Sequence, residues 1–409
     1  MYDLLRGRNE GLKQDVTGFA QQLIRTPGLS LHEKAVADRV EQEMRRVGYD
    51  EVFRDDAGNV VGVMLGRGSD EAVLLGGHLD TVEPSEAGPW ERDPWSGELV
   101  GDRLFGLGAS DCKGGLAAQI YAGLLLKRAM LPLRGNLVVA ATVAEESGRS
   151  AGLRTLLDRT MSELSLRPVF AVLGEPTNLG LYYGHNGWFE MDIWVEAAEQ
   201  PRAARAARVI YDQFATAAGA LGSDEIEQIT LEEPRYVESA QGCRAGIRMA
   251  RRLHPSENAQ QVADQVKHTA VLAAQAVEPV AVEVAICEET KQLYNGRTTV
   301  VRHVTHAWET DPFNSLLSRA KQALEAGGCP AQPGKWRLGR MGMATGGGVL
   351  VNDFKVPTIG YGPGCEEAAH APNEFVTIPN IHQAVYGTAL IVHSLIGVPV
   401  YGWTFDDEI

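Results

Sequence analysis

At 409 residues the chain is long for one simple hydrophobic core, so about two domains are expected. Its composition, 44% hydrophobic and 22% charged, is that of an ordinary globular protein, and its net charge of −15 argues against nucleic acid or an anionic membrane surface as the main partner. The opening MYDLLRGRNEGLKQD lacks a signal-peptide core, and no apolar run approaches the roughly 20 residues needed to span a bilayer. Five scattered cysteines form no CxxC pair, which disfavours a disulfide scaffold and makes the reducing cytoplasm the expected compartment.

In chain order, residues 10–26 pattern as an amphipathic helix stopped by Thr26-Pro27-Gly28. Ser30 and Glu33 have capping-box spacing, opening a helix to about Gly48. Strands are expected over 59–65, 72–77, 136–143 and 169–173, with a helix over 116–130, the rhythm of a layered α/β domain. From Gly187 the rhythm changes. Strands are expected over 188–196, 235–239, 243–253 and 280–287, with helices over 201–221 and 257–277. That β-α-β-β-α-β order fits a compact α+β sandwich. After about Thr305 the α/β style returns, with Asp311-Pro312 opening a helix, a strand over 357–361 and a final helix over 381–396. The expectation is a discontinuous α/β domain (1–184 and 305–409) with a smaller α+β domain inserted (185–304).

Polar clusters stand where the candidate strands end. GGHLDTV (76–82) places His78 and Asp80 two positions apart, on one side of a strand terminus. Asp111 lies in the glycine-rich turn GLGASDCKGG (106–115), where its charge would repel a dinucleotide pyrophosphate. Glu145-Glu146, Glu175 and His370 follow in EESG, GEPT and AHAPNE. Singly, Glu175 and Glu145-Glu146 read as solvated loop carboxylates or helix caps, and His78 as a locally hydrogen-bonded histidine at a polar strand terminus. Together, two imidazoles and several carboxylates at strand ends form an N/O ligand set suited to zinc, with cobalt or manganese as alternatives. A shared carboxylate could bridge two ions, leaving one of the paired glutamates as a general base.

These motifs, in this order, resemble the dinuclear zinc peptidases and deacylases, which include acetylornithine deacetylase, succinyl-diaminopimelate desuccinylase, aminoacylase and bacterial glutamate carboxypeptidase. The resemblance implies two zinc ions, with His78 and Glu175 on one, Glu146 and His370 on the other, and Asp111 bridging. It implies that Asp80 orients His78 and that Glu145 is the general base. The implied reaction is hydrolysis of an amide bond in a small N-acyl amino acid or peptide-like substrate. The inserted domain would be the family's lid, through which a homodimer can form. Ala344–Gly348 falls at the family's glycine-rich substrate loop.

Three positions depart from the pattern. Cys112 replaces a usual methionine and reads as a small buried hydrophobe. Leu107 replaces a common arginine. Family lids carry a catalytic histidine in a loop after their first strand, yet here that region reads VEAAEQPRAARAARV (195–209), without histidine. His254 is the best substitute among His185, His254, His268, His303 and His306, and Arg202 or Arg205 could supply charge. The missing loop leaves an alternative: a homologue that binds metal with lost or altered hydrolysis, as a binding protein or in another metal-assisted biosynthetic step.

Overall fold

The computed structural model describes residues 1–85, 88–220, 229–239, 242–275, 279–329 and 341–399. They form two compact units: Met1–Gly184 with Lys291–Thr299 and Glu309 onward, and His185–Thr290 with Val300–Trp308.

The first unit is built on a six-stranded sheet in the order Glu51–Arg54, Val60–Met64, Asn136–Thr142, Glu71–His78, Arg167–Leu173, Thr358–Gly360. The last four strands are mutually parallel, and the first two are antiparallel additions. Alternation along each strand assigns its side chains to two faces. Val73, Leu75, Leu137, Val139 and Ile359 pack with the helices Lys13–Arg25, Lys34–Val47, Gly114–Arg128, Ser315–Ala326 and Ile378–Ile396. Ala72, Leu74, Val138, Ala140 and Leu173 pack on the other face with Leu153, Leu156, Met161 and Leu350. The sheet is thus covered on both sides, which is why its central strands are apolar at nearly every position.

Helix Gly114–Arg128 is buried on all sides from Gly114 to Leu126. It approaches the sheet closely because Gly115 has no side chain. A Cβ there would lie 1.7 Å from the Gly174 carbonyl oxygen. Gly115→Ala is therefore expected to destabilise the fold by at least ~1–3 kcal/mol, the usual range for overpacking. Urea denaturation checks this, and an unchanged midpoint would contradict the packing described.

Two helix starts differ from the capping expected. The helix after Ser30 begins at Lys34, and Glu33, 1% exposed, does not reach back to Ser30. Its Oε1 instead accepts the amides of Leu31 (2.8 Å) and Ala144 (2.9 Å), because Ala144 brings a buried donor within reach. Past Asp311-Pro312, Asn314 caps the helix through the Leu316 amide (2.9 Å), while Asp311 takes the Phe313 amide in the preceding turn. The expected helix ends at Leu221 and Val277 lie outside the described residues.

In the second unit, Gly187–Ala197 is central, paired antiparallel with Gly242–Leu253 and Ala281–Ile286. Its burial alternates strictly, with Phe189, Met191, Ile193 and Val195 inward against helices Gln200–Ala220 and Ala259–Gln275. On the opposite face the guanidinium groups of Arg235 and Arg244 lie 5.0 and 4.9 Å from the Trp194 ring centroid. Among the described residues, no helix is long and apolar enough to cross a membrane.

Candidate metal centre

Parallel pairing aligns the carboxyl ends of the sheet's strands, the edge where open α/β sheets bind ligands. His78 ends its strand in register with Thr142, and Gly76 pairs with Leu173. Glu145 and Glu146 follow Thr142, Glu175 follows Leu173, and His370 lies in the loop after Gly360. Asp111 enters from the glycine-rich turn ahead of the central helix. That turn needs a left-handed residue at Gly108 (φ +82°), where a Cβ would also meet the Thr81 side chain at 2.7 Å. Non-glycine residues in the left-handed region cluster in the same loops: Ala144, Arg149, Ser150, Asn178, Leu179, His370 and Asn373. Such conformations cost on the order of 1 kcal/mol or more each and persist where surroundings enforce them.

The side chains expected to act together do converge. His78 Nε2 lies 3.0 Å from Asp111 Oδ1, and His370 Nε2 lies 3.3 Å from Asp111 Oδ2 and 2.7 Å from Glu146 Oε1. Among the described residues, three groups have donor atoms within 4.8 Å of one another: His78, Asp111, Cys112 and Glu175; Asp111, Glu146 and His370; and His78, Glu145 and Glu146. The first two share Asp111. Asp80 acts differently from a simple carboxylate–imidazole pair. Its backbone carbonyl is 2.8 Å from His78 Nδ1, while its carboxylate, 3.6 Å from that nitrogen, accepts the amides of Glu145 (3.1 Å) and Glu146 (3.0 Å). Ser150 Oγ donates to Glu145 Oε1 at 3.4 Å.

Burial governs the charges. It pushes Glu175 up to about 8, with Asp111 adding repulsion, and raises Glu145 well above the ordinary carboxylate range and Glu146 to a lesser degree. Burial opposes charge on His370 too, but hydrogen bonds to Asp111 and Glu146 lift it to about 11. His78 is likewise raised despite burial, through Cys112 and Asp111, and Asp111 is held low, against burial, by the two imidazoles. A donor set that must retain protons to tolerate its own carboxylates fits a site for divalent cations.

The metal-free protein carries a pH signature. Glu33 (about 7), Glu175 (about 8) and Glu374 (about 8) are all raised first by burial. A raised folded-state pKa gives stability that is fully present below the unfolded value and is lost as pH rises through the folded one. Buried Lys113, lowered to about 7 by desolvation, works in the opposite direction only above that pH. His393, lowered to about 4 by desolvation, opposes the trend below about pH 6.5, one group against the three carboxyls. Thermal midpoints of chelator-treated protein should therefore fall from about pH 5 to about pH 6.5. A rise over that window would contradict these assignments.

The sequence profile of Peptidase family M20/M25/M40 matches residues 74–394, most of the chain. The chain belongs to this family. Its relatives include the uncharacterized protein YgeY of Escherichia coli, 27% identical over 391 residues, spanning 91% of this chain and 92% of that protein. Succinyl-diaminopimelate desuccinylase of Rhodospirillum centenum is 33% identical over 170 residues, 40% of this chain and 44% of that enzyme. The fold is similar to that of an M20 metallo-carboxypeptidase of Sulfolobus solfataricus (TM-score 0.66, 15% identity, 92% of this chain and 98% of that one). It is similar also to the Bacillus subtilis YXEP protein, described as a dinuclear metal-binding peptidase of the M20 family (TM-score 0.66, 15% identity, 94% and 98%). M20 membership makes the chain a metal-dependent amide hydrolase and confirms the mixed α/β fold class.

In the second unit, the region without the expected histidine loop is short. Only Ala198 and Glu199 separate the strand ending at Ala197 from the helix starting at Gln200. Arg202 lies in that helix, 3.8 Å from Glu199, with Arg205 one turn on. His254 closes a local turn: its amide donates to Glu257 (2.8 Å) and its Nδ1 is 3.0 Å from Ser256 Oγ. His303 sits between Glu190 and Glu289 at 2.9 and 2.8 Å, His185 is buried edge-on to Trp308, and His268 is in a helix.

Three positions carry more than sequence reading assigned. Cys112 is buried as expected, but its sulfur accepts the His78 amide at 3.0 Å and stands in the donor group with Asp111 and Glu175. Burial pushes this thiol up to about 12. Glu374 and Glu33, both buried, receive backbone amides from segments that bear site residues. The motif AHAPNE already contained Glu374, whereas capping-box spacing concealed Glu33. Leu107 is simply buried. In the glycine-rich segment, Gly346 packs against Leu153, whose side-chain methyl would have to move to admit a Cβ.

Proposed function

We propose that the chain is a dinuclear zinc hydrolase that cleaves the amide bond of a small N-acyl amino acid or peptide-like substrate. The observation that carries this reading is the pair of donor groups sharing Asp111. His78 and Glu175 would hold one ion, Glu146 and His370 the other, and Asp111 both; cobalt or manganese would suit the same donors. Ionised Asp111, Glu145, Glu146 and Glu175 carry four negative charges, which two divalent ions would balance.

Bound divalent ions acidify water and polarise a carbonyl. The protein groups supply orientation and proton transfer. The Asp80 carbonyl takes the proton side of His78 Nδ1, leaving Nε2 to face Asp111. Its carboxylate fixes the backbone that carries Glu145 and Glu146. Glu145, raised in pKa by burial and steadied by Ser150, takes a proton from the attacking water and delivers it to the nitrogen as the C–N bond breaks.

The second unit is assigned the lid role and, in this reading, pairs two copies of the chain; light scattering would give the mass. Because His254 is occupied in its own turn, His254→Ala should change kcat less than about threefold with metal content unaltered. A loss of ~10²–10³ with metals and fold intact would instead make it an oxyanion donor.

The function itself is tested by loading the protein with Zn2+ and assaying N-acyl amino acids and dipeptides for release of a free amine. Turnover that vanishes on chelation and returns with metal is expected. Absence of amide hydrolysis across both substrate classes, with two ions bound, would overturn the substrate assignment.

A further inference from the structure

We propose that Glu374 is a positioning residue that sets the Asp111 carboxylate against His370 without itself holding an ion. The residue is 1% exposed and belongs to none of the three donor groups. Oε1 accepts the amides of Ser110 (2.8 Å) and Asp111 (2.9 Å), and Oε2 accepts that of Gly108 (3.0 Å). All three donors come from the turn that presents Asp111. Glu374 itself lies four residues beyond His370, so one side chain ties the His370 loop to the Asp111 turn.

Other bonds reinforce this registration. The Gly106 amide donates to the Glu374 carbonyl at 2.8 Å. Ser110 Oγ accepts the Cys365 amide at 2.7 Å and lies 3.2 Å from the Phe375 carbonyl. Phe375–Thr377 then pairs antiparallel with Arg103–Phe105, continuing the same junction as sheet. A carboxyl side chain is suited to this place because both of its oxygens accept from these three donors. Glutamine would aim an N–H at one of those amides and lose at least one of the three bonds. Asp111 touches His78 and His370 with its two oxygens, so a shift of its turn changes its relation to both imidazoles at once.

The inference rests on Asp111 being a shared ligand, as proposed above. Removing outer partners of metal ligands typically weakens metal affinity about 10–100-fold. The test compares full-length wild type with Glu374→Gln in two measurements. Zn2+ affinity is read by competition with a chromophoric chelator, and amide exchange over residues 106–113 is read on metal-free protein. Expected in Glu374→Gln is ~10–100-fold weaker binding of at least one ion, together with faster exchange confined to that turn. Glu374→Asp, which keeps the carboxyl group but shortens the reach, should fall between the two and serves if Glu374→Gln fails to fold. Unchanged exchange over 106–113, or unchanged affinity in a wild type that binds two ions, would overturn the proposal. A wild type binding less than one ion would instead refute the ligand assignment, and the exchange comparison would still judge Glu374.

Discussion

Glu145→Gln should retain the wild-type metal content while lowering kcat by ~10²–10⁴, the range attributed to general-base assistance. That corresponds to about 3–5 kcal/mol of barrier. The expectation follows from where Glu145 stands. It shares a donor group with His78 and Glu146, but not the two groups that meet at Asp111. Its backbone is held by Asp80 and its carboxyl by Ser150, contacts that glutamine can largely preserve. Burial raises its pKa well above the ordinary carboxylate value. KM should change little, because a base acts on the transition state more than on bound substrate. Metal loss in this variant would make Glu145 a ligand, and unchanged kcat would place the base elsewhere.

Asp111→Asn should have the opposite signature, with metal content and turnover lost together. Its carboxylate joins the two donor groups and contacts both imidazoles. Asparagine preserves the shape and the backbone bonds that Glu374 receives from this turn, but removes the charge that would attract both ions. Zinc per chain should drop below one after dialysis, and kcat/KM should fall by at least ~10³, equivalent to the several kcal/mol a catalytic metal contributes. A variant that kept two ions would show that Asp111 is not shared.

The candidate donor cluster was legible because His78, Glu145, Glu146 and Glu175 end or follow apolar strands and Asp111 precedes the central helix, with the strand register bringing those ends together, while His370, in the loop after Gly360, was marked by the motif AHAPNE. The long elements were legible for the same reason: alternation in Gly187–Ala197 and continuous burial in Asn136–Thr142 are strong periodic signals. Short elements were not. Helix Tyr2–Glu10 buries only Leu5 and Asn9, so it carries almost no apolar stripe. Strand Glu51–Arg54 fully buries only Val52. The small sheet of Glu98–Val100, Arg103–Phe105 and Phe375–Thr377 joins segments far apart in sequence, and its first strand is exposed throughout. The carboxylates of Glu33, Asp80 and Glu374 were hardest to read. Their partners are backbone amides of distant segments, and a backbone amide leaves no mark in the residue code.

The central claim is that two ions share one carboxylate, and the most direct measurement is the number of metal ions bound by the wild-type chain. Metal-free protein loaded with Zn2+, freed of excess and measured by elemental analysis should contain about two ions per chain, in line with the two groups that meet at Asp111. Fewer than one ion per chain would contradict the account.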